Sequence, residues 1–182
     1  DIYVVDNAGD KVSDSDGTHD TVEAAFSIDL TLAKFDGIED ATLIGSKALS
    51  LTGDAGANIL SGNAGANKIN GGLGADTMSG GNGKDTYTID DVGDTINEDA
   101  GKGTGVDLVL ANIDFALDDN IENLVLTATG SALTGTGNDL ANIITGNGLN
   151  NTLSGGAAND ILAGNVGDDS LIGGAGIDKM AG

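Results

Sequence analysis

Apolar and polar positions near the end of the chain fall into a nine-residue frame. Residues 155–181 read GGAANDILA, GNVGDDSLI and GGAGIDKMA, and Gly182 opens a further unit. Each unit starts with a Gly-rich turn, carries an acid at its sixth place (Asp160, Asp169, Asp178) and an apolar residue at its eighth (Leu162, Leu171, Met180). The pattern predicts a tight turn and a short strand, with the acids in one column and the apolar residues in another. The frame continues backward through 146–154 and 137–145, and recurs at 53–61, 62–70, 71–79 and 80–88. Between these blocks the apolar residues alternate, at Val106/Leu108/Leu110, Ile113/Phe115/Leu117 and Leu124/Leu126. Period two with β-branched and aromatic residues predicts strands. No window has a helical period, so the chain is expected to be all-β.

A longer period lies above the rows. Asn58 to Asn142, Asp76 to Asp160 and Asp85 to Asp169 each differ by 84. The intervening segments repeat as well, Asp1-Ile-Tyr-Val-Val-Asp6 matching Asp85-Thr-Tyr-Thr-Ile-Asp90 and Ile38-Glu39-Asp40 matching Ile121-Glu122-Asn123. In frame, these segments are degenerate rows. Residues 89–97 keep Gly93, Asp94 and Ile96, and Gly103-Thr-Gly105-Val-Asp107-Leu-Val109 does the same after a longer turn. Asp10/Val12 and Asp20/Val22 are the counterparts in the first copy. The chain thus divides into strand-rich spacers at 1–52 and 89–136 and nonapeptide blocks at 53–88 and 137–182. A solenoid with longer coils through the spacers is expected; a separate small sandwich docked on it is the alternative.

Composition narrows the function. The chain has 182 residues, a formal charge of −22, 31 glycines, and neither proline nor cysteine. Apolar residues make up 39% but aromatics only 3%, so a thin core of small repeated layers is implied. Such acidity, against only seven cationic side chains, all lysine, argues against nucleic acid and anionic membrane surfaces as partners. No apolar run approaches the ~20 residues of a membrane span, and membrane insertion is not expected. The chain starts in mid-repeat and without a signal peptide, so it is read as a piece of something longer, with further repeats or domains of the same protein as its first partners.

Lack of cysteine removes disulfides and thiol chemistry. Gly-rich loops without a following Gly-Lys-Ser/Thr do not predict a phosphate site. His19, the only histidine, stands beside Asp20 in an expected turn and reads as a solvated residue. Paired acids suit a glycosidase, but such a groove wants aromatic platforms, and Tyr3, Tyr87 and Phe115 fall at expected core positions. No catalytic residues are therefore expected, and part of a polysaccharide-modifying enzyme is the least favoured reading.

Glycines permit left-handed backbone and close approach to a ligand, and the sixth-place acids supply hard oxygens, the combination that Ca²⁺ favours. The unit resembles the RTX, or haemolysin-type calcium-binding, nonapeptide repeat, GGxGxDxUx; GGLGADTMS and GGAGIDKMA match it at every place. That resemblance implies a right-handed parallel β-roll in which two rows make one coil and several Ca²⁺ ions sit between row i and row i+2. Each ion would take carbonyls of the first and third turn residues of one row, those of the second and fourth of the other, and both sixth-place carboxylates.

On this chain it implies that Asn58, Asp76 and Asp94 share an edge, with Asn67, Asp85 and Asp107 on the other. In the second block, Asn142, Asp160 and Asp178 share one edge and Asn151 and Asp169 the other. Asp10 and Asp20 are the first-copy candidates. Carbonyls are implied at Gly72, Gly74, Gly81 and Gly83, and, for the best-matched site, Asp160/Asp178, at Gly155, Ala157, Gly174 and Gly176. Asn at 58, 67, 142 and 151 keeps an oxygen but loses the charge, so these turns should bind weakly and stack as amide ladders instead. Ala158 stands where the turn wants glycine and should strain it.

Aligned acids repel one another, and a small coil buries too little to fold alone; folding on calcium is therefore expected. The family resemblance adds type I export of the unfolded chain to the outside or the cell surface. A structural stalk of an adhesin, surface layer or extracellular filament is the alternative, with self-association or surface polysaccharide as its contacts.

Overall fold

A computed structural model describes residues 1–15, 17–98, 105–128 and 130–182. It has two compact units, Asp1–Gly105 and Val106–Gly182. Part of the degenerate row at Gly103 lies outside the described residues. Among the described residues all regular structure is strand, and no helix is long and apolar enough to cross a membrane.

The first unit runs β1 (Ile2–Val5), β2 (Val12–Ser13), β3 (Thr21–Ala24), β4 (Ile28–Asp29), β5 (Phe35–Asp36), β6 (Asp40–Leu43), β7 (Ser50–Thr52), β8 (Ile59–Ser61), β9 (Lys68–Asn70), β10 (Thr77–Ser79), β11 (Thr86–Ile89) and β12 (Thr95–Ile96). Strands β1-β3-β6-β8-β10-β12 form one sheet and β4-β7-β9-β11 the facing one, with β2-β5 as a short third. Every pairing is parallel. Parallel neighbours need a crossover, and here the crossover is a turn, a strand of the other sheet and a second turn, which makes a solenoid.

Within the block each coil is two nonapeptide rows long, as in Ile59↔Thr77↔Thr95 and Ser50↔Lys68↔Thr86. In the spacer it lengthens, slightly in Ile2↔Thr21↔Asp40 and by about half a row in Val12↔Phe35 and Ile28↔Leu51. Because β6 pairs directly with β8 and β4 with β7, the spacer strands continue the same sheets and no separate sandwich forms there. Rows that match at the long period, β1 and β11, lie in opposite sheets, so the super-repeat spans a half-integral number of coils.

The second unit follows the same plan with β13 (Leu108–Ala111), β14 (Phe115–Ala116), β15 (Asn123–Leu126), β16 (Thr134–Thr136), β17 (Ile143–Thr145), β18 (Thr152–Gly156), β19 (Ile161–Ala163), β20 (Ser170–Gly174) and β21 (Lys179–Ala181). Odd-numbered strands stack in one sheet and even-numbered strands in the other. Its first spacer coil, Leu108↔Asn123, is shorter than two rows. The next ones, Asn123↔Ile143 and Phe115↔Gly135, are longer, and from Ile143↔Ile161 onward the coil keeps the two-row length. The expected lengthening holds for most spacer coils and reverses for the first of this unit.

Each sheet contributes a column of inward side chains. Val22, Ala41, Leu60, Met78 and Ile96 stack at 3% exposure or less, facing Ile28, Leu51, Ile69 and Tyr87. In the second unit Val109, Leu124, Ile144 and Leu162 stack at 1% or less, opposite Leu153. One expectation is corrected here. Leu162, Leu171 and Met180 are not one column: Leu162 pairs with Met180, whereas Leu171 pairs with Leu153 in the facing sheet, because consecutive rows alternate sides. The alternation Val106/Leu108/Leu110 points outward, and Val109 and Ala111 are buried instead. The register with Leu124 and Leu126 decides this, and it obeys the rule that the buried residue follows the acid by two. Leu117 is buried as expected, whereas Phe115 and Tyr3 are only half-buried.

The turns require glycine where coils touch. Gly72 has φ +92°, and a Cβ there would stand 2.3 Å from the Asp54 carbonyl oxygen of the coil before. Gly148 has open space around it. Gly72→Ala should therefore cost more than the ~1–2 kcal/mol of a left-handed residue, whereas Gly148→Ala should stay within about 0.5 kcal/mol. Denaturant midpoints of the two variants against the parent chain check this; equal effects would mean the turns are not packed against each other.

Candidate metal centre

Each sixth-place residue lies immediately before a strand, so parallel stacking brings these residues into columns along the solenoid edges. In the first unit one edge carries Asp20, Glu39, Asn58, Asp76 and Asp94. Backbone N–H groups along it reach the side chain one coil on: Asp20 to Glu39 Oε2 (3.0 Å), Asn58 to Asp76 Oδ1 (2.8 Å) and Asp76 to Asp94 Oδ1 (3.0 Å). The other edge joins Asn67 N–H to Asp85 Oδ1 at 2.7 Å.

The second unit repeats the arrangement. Asp107 N–H donates to Glu122 Oε2 (2.7 Å), Asn142 to Asp160 Oδ1 (2.8 Å) and Asp160 to Asp178 Oδ1 (2.9 Å), while Asn151 donates to Asp169 Oδ1 (2.8 Å) on the opposite edge. The pairings expected within each unit are thus brought together. Asp85 belongs to the first unit and Asp107 to the second.

Other expected residues stand apart or change role. Asp10 accepts the Asn7 N–H of its own turn at 3.1 Å, and register sets it beside Ala33 rather than an acid. Asp20, besides its place in the column, has a carboxylate oxygen within 4.8 Å of oxygens of Asp1 and Asp14. Glu39 and Glu122 join the columns without fitting the nonapeptide frame; the match of Ile38-Glu39 to Ile121-Glu122 is the one sequence signal that marks them. Their coils depart from the two-row length, so a fixed frame steps over them, and the longer glutamate arm spans the difference. His19 Nδ1 lies 3.2 Å from Asp40 Oδ2, with its ring mostly exposed, and takes no part in the columns.

Two kinds of turn occur along these edges. In the leading rows the second residue is Asp54, Asn63, Asn138 or Asn147, and its side chain accepts the N–H two residues on at 2.7–2.9 Å. Its own N–H then donates to the sixth-place amide oxygen, of Asn58, Asn67, Asn142 or Asn151, at 2.8 Å in all four. In the following rows the second and fourth places take positive φ: Gly72 and Gly74, Gly81 and Gly83, Gly156 and Ala158, Asn165 and Gly167, Gly174 and Gly176. Ala158 holds φ +68° without a glycine, as expected of a strained turn.

This backbone change takes the second-place N–H away from the acid. The sixth-place oxygen keeps its position, tucked against the first glycine: a Cβ on Gly53 would meet Asn58 Oδ1 at 2.3 Å, and one on Gly71 would meet Asp76 Oδ2 at 2.1 Å. Yet Asp76 Oδ2, Asp160 Oδ2 and Asp169 Oδ2 are buried with no hydrogen-bond donor. Asp94 differs. Its Oδ2 accepts the N–H groups of Asp90 and Asp91 (3.1 and 3.2 Å), so it closes its turn as the asparagines do.

Carbonyls crowd the same gaps. Between rows 155–163 and 173–181, Gly156 O and Ala158 O of the earlier row and Gly173 O of the later row approach the facing turn, within 2.1, 1.7 and 2.4 Å of where Cβ atoms of Gly174, Gly176 and Gly155 would stand. Gly155 O lies instead against Gly137, one coil back. Gly156 O in this gap accepts the Ala175 N–H at 3.0 Å.

Burial of these acids is felt in their ionisation. Asp76 is pushed up to about 6, first by burial and further by the charges of Asp94, Asp90 and Asp54, against the Asn58 N–H bond that lowers it. Asp90 is raised too, by burial and then by Asp94 and Asp91, and its Oδ1 is buried without a donor. The donor set is entirely oxygen, carboxylate and carbonyl, with neither sulfur nor imidazole. A hard divalent cation of flexible coordination number fits it, and buried carboxylate oxygens that no N–H reaches are where such an ion would be held.

The RTX calcium-binding nonapeptide repeat family (four copies) matches residues 52–87 and 145–180. No curated protein and no solved structure matches the chain. Both matched stretches include rows whose turns carry the unsatisfied carboxylates, Asp76 in the first and Asp160 and Asp169 in the second, and both are wound into parallel coils. Residues 52–87 and 145–180 are RTX calcium-binding nonapeptide repeats, carried on a fold that is a parallel β-solenoid.

Proposed function

We propose that this chain is the calcium-binding β-roll segment of a larger secreted bacterial protein, and that it folds on meeting calcium outside the cell. The observation that carries this reading is the set of buried, donor-free oxygens of Asp76, Asp160 and Asp169. Calcium would supply the positive charge these columns lack, held by Asp76, Asp85, Asp160, Asp169 and Asp178 with turn carbonyls beside them. Extracellular calcium modules bind at ~10⁻⁴–10⁻³ M, well above resting cytosolic levels, so the chain's own acids keep it open inside the cell and close outside it. A stalk or filament segment is the second reading, favoured by the long period that relates Asp1–Asp6 to Asp85–Asp90. A folding and export module needs no such regularity, whereas a spacer of set length does.

Circular dichroism tests the switch. The chelated chain should lack most of its β signal and gain it with millimolar Ca²⁺, while equal Mg²⁺ should not substitute, since Mg²⁺ demands near-octahedral geometry and sheds water reluctantly. An equally ordered chelated chain would refute calcium-driven folding.

Charge should rank the sites. Asp160→Asn removes a buried carboxylate shared by two coil junctions. A charge contact at about 4 Å and an effective dielectric of about 20 carries ~4 kcal/mol before desolvation is subtracted, so affinity should fall on the order of ten- to a hundredfold. Calcium titration showing unchanged affinity would assign binding to carbonyl geometry instead.

Acidity should separate folding from binding. Asp76 ionises near 6 when folded and near 3.8 when unfolded, so the folded ion-free chain holds more protons between these values. Its stability then falls as pH rises from about 4 to 6 and is gained back on acidification. Calcium affinity moves the other way, weakening as pH drops through about 6 because the ion competes with the proton. Titrations at pH 7.5 and 5 check both signs; an affinity independent of pH would exclude Asp76 as a ligand.

A further inference from the structure

We propose that the asparagines opening each block are built-in substitutes for calcium, making the first coil-to-coil junction of each block independent of the ion. This rests on the calcium reading above and deepens it by assigning which junctions take no metal.

Each leading row aims amide hydrogens at carbonyl oxygens of the coil before. In row 137–145, Asn138 Nδ2 donates to Asp118 O (2.7 Å) and Ile121 O (2.8 Å), and Asn142 Nδ2 donates to Ile121 O and Glu122 O (both 3.2 Å). Row 146–154 does the same on the other edge. Asn147 Nδ2 reaches Ala132 O (2.9 Å) and Thr127 O (3.4 Å), and Asn151 Nδ2 reaches Ala132 O (3.3 Å). In the first unit, Asn58 Nδ2 donates to Glu39 O (2.6 Å), Asn63 Nδ2 to Ile44 O (3.3 Å) and Asn67 Nδ2 to Leu49 O (3.4 Å).

These are gaps in which carbonyl oxygens converge between coils. A cation gathers such oxygens by charge; a primary amide gathers them with two N–H bonds and adds no net charge. The expected amide ladders do not form, because the next sixth-place residue in every column is an acid, not another asparagine: Asn58 meets Asp76, Asn67 Asp85, Asn142 Asp160 and Asn151 Asp169. The amide thus faces both ways. Its Nδ2 holds the coil before, its Oδ1 closes its own turn, and its backbone N–H positions the first acid of the calcium-dependent stretch.

Asparagine and aspartate have nearly the same shape, so Asn142→Asp exchanges two donors for lone pairs aimed at Ile121 O and Glu122 O. That repulsion is relieved only by a cation. Asn142→Ala removes the amide and adds no charge, and so separates the two roles.

The test counts bound ions on the full chain by calcium titration and follows thermal unfolding at saturating calcium. Asn142→Ala should bind as many ions as the parent chain and melt at a lower temperature, as loss of satisfied buried hydrogen bonds requires. Asn142→Asp should bind about one more ion and need about twofold or more higher calcium to fold, by mass action. Asn151→Asp repeats the experiment on the opposite edge. Loss of an ion in Asn142→Ala would make Asn142 a ligand and overturn the inference alone. So would Asn142→Asp and Asn151→Asp both showing an unchanged ion count and folding midpoint. A parent chain that binds no calcium would overturn the function above, and this inference with it.

Discussion

A parallel solenoid sets like on like. Whatever stands at one place of a row stands next to its counterpart one coil on, about 4.8 Å away in the direction of the sheet hydrogen bonds. When that place is an aspartate just inside the turn, its carboxylate is buried beside others of the same sign. One oxygen takes the N–H of the preceding coil, as Asp76, Asp160 and Asp169 all do. The second oxygen has nowhere to turn in these rows, because positive φ at the second place, Gly72, Gly156 or Asn165, carries the nearest N–H away. Glycine content, acidity and a thin core are consequences of this one arrangement. The first glycine makes room for the oxygen, the others let coils touch, and short strands leave little apolar area to stabilise the stack without help.

The leading rows are the counter-example within the same chain. A second place outside the left-handed region, with asparagine at the sixth place, gives the amide oxygen a donor: Asp54, Asn63, Asn138 and Asn147 each supply the N–H that the following rows lack. The spacers reach the same end differently. Glu39 and Glu122 extend one methylene further and accept the N–H of Asp20 and Asp107 across coils that are not two rows long. Satisfied and unsatisfied junctions therefore occur on the same edge, and the long period repeats the step from Asn58 to Asp76 as that from Asn142 to Asp160.

Much of this was legible in the residues because the nonapeptide frame carries its own geometry. An acid at place six and an apolar residue at place eight predicted which oxygens stack and which side chains enter the core, and Leu60, Met78, Ile144 and Leu162 are buried accordingly. Where frame and alternation disagreed, at 106–110, the frame was right, since register with β15 outweighs local period. Glu39 and Glu122 escaped because a small change of coil length breaks a fixed spacing while parallel pairing tolerates it. Asp90 escaped because it occupies the second place, where the repeat calls for glycine. The role of the asparagines was not legible from type alone: an amide can ladder, ligate or cap, and only the direction of Nδ2 toward the preceding coil distinguishes these.

The most direct test is crystallographic. Crystals grown in calcium and measured for anomalous scattering should show ions about 2.3–2.6 Å from the carboxylate oxygens of Asp76, Asp160 and Asp169, and none between Asn142 and the coil of Glu122. Those three oxygens instead bonded to protein N–H groups or to water, with no anomalous peak beside them, would contradict the claim that calcium completes the buried acid columns.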